Sequence, residues 1–123
     1  MPAHEDLVLS FSVHKQKFDY AFKLSIMTQS VAVFIGTRPE AIKLAPVVKA
    51  LVGAPGVEPI VVSTGQHKEM LTQVVELFDI PIHHELDVMT PNQSLSGLTA
   101  RLLEKMDALL GEVKPDFSLV QGD

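Results

Sequence analysis

The segment "VAVFIGTRPEAIKLAPVVKAL", residues 31–51, decides the fold. Its first five residues form a short, unbroken apolar run rich in β-branched side chains and stopped by Gly36. Such a run is expected of a strand buried on both faces, since a half-exposed strand would alternate apolar with polar. The period then changes. Ala41, Leu44, Ala45, Val48 and Leu51 recur at helical spacing and make one apolar stripe. A buried strand running straight into an amphipathic helix is the first half of a β-α-β unit, and such units build parallel sheets.

The rest of the chain repeats the pattern. "PIVVST" (59–64) reads as a second buried strand, punctuated by Gly65. Met70, Leu71, Val74, Val75 and Phe78 mark one side of a second helix that ends near "DIP" (79–81). "HHEL" (83–86) reads as a weaker third strand, and "DVMTPNQS" (87–94) as a loop. A long helix follows, with Leu95, Leu98, Leu102, Met106, Leu109 and Val113 in register. "KPD" (114–116) breaks it, and "FSLVQ" (117–121) is a fourth strand. Strictly alternating strands and helices predict an α/β fold with right-handed crossovers, a Rossmann-like parallel sheet with flanking helices. Pro46 falls inside the first helix, where a proline removes a backbone bond at a cost of ~3 kcal/mol or more. The apolar spacing continues through it, which favours a kink over two separate pieces.

Residues 1–29 read differently, with no clean period and no Gly or Pro after Pro2. A secretory leader fits poorly, because His4, Glu5 and Asp6 stand where a basic cluster belongs and no small-residue cleavage site follows. Met27 immediately precedes the first strand and is a plausible natural start. The expected division is a poorly ordered extension over 1–29 and an incomplete Rossmann-like domain over 30–123.

Composition bounds the function. The 123 residues are 46% apolar and 20% charged, in the globular range. A formal charge of −5 without a basic stripe argues against nucleic acid as a partner. The chain has no cysteine, which fits a reducing, cytoplasmic setting, and no apolar run of spanning length. His83 and His84 are adjacent, so on a strand they point to opposite faces, and no ligand cluster has metal spacing.

In open parallel sheets, ligands bind outside the carboxyl ends of the strands. That rule selects "GTRPE" (36–40), "TGQHKE" (64–69) and "QGD" (121–123), and helix N-termini follow the first two with N–H donors suited to an anion. Within GTRPE a structural account covers most residues. Gly36 permits a sharp exit and close approach, Thr37 and Glu40 have capping-box spacing, and Pro39 sits in the first turn. Arg38 is the exception, because a cation is unfavourable at a helix N-terminus. Either it points into water or it clamps an anion in the bidentate way guanidinium allows. Lys43 either reaches back to the same mouth or pairs with Glu40. Neither G-x-x-x-x-G-K-[ST] nor G-x-G-x-x-G is present.

"VFIGTRPEAIKLAPVVKAL", "STGQHKEMLTQVVELFDI", "ELDVMTPNQSLSGLTARLLE" and "KPDFSLVQGD" together resemble the N-terminal part of the non-hydrolysing UDP-N-acetylglucosamine 2-epimerases. The resemblance runs in order from about Val31 to Asp123, about three quarters of the chain. It implies part of the N-terminal domain of a GT-B fold and an isomerase that interconverts UDP-N-acetylglucosamine and UDP-N-acetylmannosamine. The implied route eliminates and re-adds UDP without metal or nicotinamide cofactor. Carried over, Arg38 and Lys43 match the family's active-site arginine and lysine, and Asp123 an aspartate implicated in proton transfer at C2. Gly36, Thr37, Arg38, Pro39 and Glu40 form the implied UDP-binding turn. Gln66, His67, Glu69 and Gln93 fall at or beside positions that hold an activating second UDP-N-acetylglucosamine in bacterial members. Glu69 and Asn92 depart from the residues some members carry there. The resemblance further implies a role in cell-surface polysaccharide biosynthesis and homodimers. It also implies that catalytic residues beyond position 123 are needed, so the 123 residues alone are expected to be inactive.

Overall fold

The computed structural model describes residues 13–19, 27–66 and 68–122. Residues 13–19 form a short helix, α1, with exposed side chains. The regular fold begins at β1 (Gln29–Ile35) and continues through α2 (Arg38–Gly53), β2 (Val57–Ser63) and α3 (Lys68–Leu77). β3 (His84–Glu85), α4 (Leu95–Val113) and β4 (Phe117–Leu119) complete it. The strands lie in the order β3-β2-β1-β4, and every pairing is parallel. The Rossmann-like sheet expected from the alternating pattern is therefore the observed one.

Both faces of the sheet are covered, and β1 explains why its run is unbroken. Val33 and Ile35 point to one side, where they pack with Ala41, Leu44, Ala45 and Val48 of α2 and with Leu71 and Val74 of α3. Ala32 and Phe34 point to the other, against Leu109 of α4, with Leu102 and Met106 beside it. Val61 and Val62 of β2 divide the same way. Two-sided burial removes the polar alternation a one-faced strand would need.

Two expectations are corrected. Met70 and Phe78, read as part of a buried stripe, are 53% and 47% exposed, and only Leu71 and Val74 of α3 are buried. Leu95 is 80% exposed, because it stands at the first position of α4, beyond the reach of the sheet. α2 runs through Pro46 as one helix, not two separate pieces, with Pro46 on its exposed side. His83 has a structural task. Its backbone N–H donates to Val61 O and its ring Nδ1 accepts from Val61 N–H, both at 2.9 Å, so it continues the pairing of β2 beyond β3.

Candidate functional site

The strand order reverses between β1 and β4, since the chain moves from β1 outward to β2 and β3 and then returns to the other side of β1. A crevice at such a switch point is the expected ligand site of this architecture. The GTRPE turn leaves β1 at that point. Thr37 is the N-cap of α2, and Glu40 closes the capping box with its carboxylate. Glu40 Oε2 accepts from the Gly36 N–H at 2.7 Å and the Thr37 N–H at 3.1 Å. The Gly36 and Thr37 N–H groups are thus already bound to a carboxylate from the same chain.

The side chain of Arg38 is a different matter. Arg38 is exposed, and no hydrogen bond or ion pair among the described residues engages its guanidinium. It lines a cavity of about 430 Å³ with Thr37, Pro39 and Met70, which gives the exposed methionine of α3 a place at the mouth. Lys43 is exposed on α2 and does not line that cavity. A larger cavity of about 530 Å³, lined by Glu58, Pro59, Ile60, Pro81 and both His83 and His84, lies toward the start of β2, away from this end of the sheet.

The second mouth segment packs directly on the first. Thr64 N–H donates to Ile35 O at 3.0 Å, and Gly65 turns the chain with φ +78. A Cβ on Gly36 would lie 2.7 Å from Gln66 Oε1, 2.9 Å from Thr64 Oγ1 and 3.1 Å from Glu40 Oε2. Gln66 therefore joins Gly36 and Glu40 in one place. Glu69 is exposed in the first turn of α3. His67 and Asp123 lie outside the described residues.

Gln93 is held elsewhere, in the loop after β3. Its Oε1 accepts from Thr90 N–H at 3.1 Å, from Thr90 Oγ1 at 3.0 Å and from an Arg101 guanidinium nitrogen at 2.6 Å. That nitrogen also donates to Val88 O at 2.9 Å and Thr90 Oγ1 at 2.8 Å. One turn further along α4, Lys105 Nζ donates to Leu86 O at 2.6 Å and Asp87 O at 3.0 Å. Reading the sequence missed Thr64, Arg101 and Lys105. The available signal for the last two was their i,i+4 spacing beside the apolar stripe of α4.

Fold and mouth define a doubly wound α/β domain with a cationic side chain at its switch point. The family model described as UDP-N-acetylglucosamine 2-epimerase matches residues 49–123. The chain belongs to that family. The UDP-N-acetylglucosamine 2-epimerases of Escherichia coli K12 and Yersinia pestis are each 50% identical to it over 93 residues, 76% of this chain and 25% of theirs. The crystal structure of the Neisseria meningitidis enzyme bound to UDP-GlcNAc matches with a TM-score of 0.70 at 44% identity, covering 78% of this chain and 26% of that one. The S. aureus MnaA–UDP co-structure matches with a TM-score of 0.71 at 44% identity, covering 79% and 25%. The chain spans about a quarter of the length of the curated relatives it matches.

Proposed function

We propose that this chain supplies the N-terminal, phosphate-meeting part of a UDP-N-acetylglucosamine 2-epimerase. Arg38 carries the reading. It is an exposed guanidinium at the switch point with no partner among the described residues, beside a turn in which the Gly36 and Thr37 N–H groups are taken. Its charge, with that of Lys43, would stabilise the diphosphate as it departs from the sugar, which is electrostatic assistance where negative charge develops. Asp123 would take part in proton transfer at C2. In the relatives the ligand named is UDP or UDP-GlcNAc, which supports a uridine diphosphate sugar here.

The same reading makes 30–123 part of a Rossmann-like domain of a GT-B enzyme; most of the extension expected before it, 1–12 and 20–26, lies outside the described residues. It makes the working protein a cytoplasmic homodimer that acts without metal, nicotinamide or nucleic acid. Because the chain spans about a quarter of its relatives' length, the 123 residues alone are expected to bind without turnover.

Isothermal titration with UDP and UDP-N-acetylglucosamine tests the proposal. The Arg38→Ala variant should bind both at least tenfold more weakly, as expected for losing charge-assisted bonds to phosphate. Equal binding by wild type and variant would refute the role of Arg38.

A further inference from the structure

Met70 is the third residue of α3, and its side chain is 53% exposed while Leu71 and Val74 enter the core. A single exposed apolar side chain is ordinary on a protein surface. The place of this one is not. Among the described residues, it is the only exposed large hydrophobic side chain that lines the cavity holding Arg38. Ile42, Val47 and Val52 of α2 are exposed too, as are Leu77 and Phe78 of α3, and none of them lines it.

The chemistry of that cavity is lopsided. Its volume of about 430 Å³ is within the range of small-molecule sites, about 300–1,000 Å³, and Thr37, Pro39 and Met70 accompany one guanidinium. Among the described residues, no carboxylate, amide or imidazole side chain lines it. Pro39 has no N–H to offer, and the Gly36 and Thr37 N–H groups are bound to Glu40. An anion alone would use Arg38 and leave the Pro39 and Met70 surfaces in water. The wall suits a ligand that carries an apolar group close beside its anion, since burying both surfaces is favourable. An unbranched, polarizable thioether adapts readily to the shape of such a group.

We propose that Met70 binds the acetamido group of the nucleotide sugar whose diphosphate meets Arg38, with its thioether against the acetyl methyl. That methyl is the only one in UDP-N-acetylglucosamine. Only the anomeric carbon and C2 lie between the diphosphate oxygen and the acetamido nitrogen, whereas a whole ribose separates the diphosphate from uracil. Met70 thereby favours the N-acetylated sugar over its 2-hydroxy counterpart. This inference deepens the function proposed above and rests on it.

Isothermal titration of Met70→Gln and Met70→Leu with UDP-N-acetylglucosamine, UDP-glucose and UDP tests it. Glutamine keeps the length and helix propensity of methionine but makes the wall polar, so Met70→Gln should melt close to wild type. It should bind UDP-N-acetylglucosamine roughly fourfold more weakly, the worth of one buried methyl group. Its affinities for UDP and UDP-glucose should stay within about twofold of wild type, because neither ligand has a methyl to bury. Met70→Leu keeps the wall apolar and should bind all three as wild type does. Unchanged binding of UDP-N-acetylglucosamine by Met70→Gln overturns the inference alone. So does an equal loss for UDP, which would set the uridine diphosphate against Met70. If wild type binds none of the three, the functional reading falls and this inference with it.

Discussion

Gly65→Ala should be among the most damaging single substitutions at the mouth. Gly65 has φ +78, where an L-residue costs about 1–2 kcal/mol. The added Cβ would also stand 3.0 Å from Asp87 Cα and 3.2 Å from Asp87 N, tighter than most such contacts, so the Asp87 backbone would have to give by a few tenths of an ångström. That stretch cannot retreat cheaply. Leu86 N–H donates to Ser63 O at 2.8 Å, Val88 N–H donates to Thr64 O at 3.3 Å, and Lys105 holds the carbonyls of Leu86 and Asp87 from α4. Overpacking of this kind typically adds about 1–3 kcal/mol, for a total of roughly 2–5. Against a typical stability of about 5–15 kcal/mol, this lowers the melting temperature by roughly 10–25 °C. Urea denaturation with a matched control is the assay. The control is Gly111→Ala in α4, where a Cβ meets nothing within 4 Å, and it should gain about 0.5–1 kcal/mol. A Gly65→Ala loss below about 1 kcal/mol at unchanged m-value would refute the packing of the 86–88 loop on this turn.

Two further substitutions probe the supports of the mouth. Arg101→Ala removes the nitrogen shared by Val88 O, Thr90 Oγ1 and Gln93 Oε1 and should cost roughly 1.5–3 kcal/mol. Arg101→Lys should restore less than half of that, because an ammonium lacks the planar fork, and urea midpoints of the two variants decide the point. Glu40→Ala should cost about 1–2 kcal/mol by opening the capping box. It should also tighten binding of inorganic phosphate in a titration, since the N–H groups of Gly36 and Thr37 then become available. Phosphate binding unchanged by Glu40→Ala would mean those donors are closed to any anion.

The sequence by itself determined the elements and the stretches that carry chemistry. The change from a continuous apolar run to a 3.6 period at Gly36 defines β1 and α2 without outside help, and the T-x-x-E spacing announces the cap. Tertiary structure alone decided the strand order, and with it the switch point beside Arg38. It alone exposed Met70, Phe78 and Leu95, whose spacing marked them for the core. It alone turned Gln93 inward to Arg101 and set Thr64 and Gln66 over Gly36. The reason is physical. Periodicity records which side chains share a face of their own element, a local property of the backbone. Which element lies opposite that face, and where it ends, depends on packing between segments far apart in the chain.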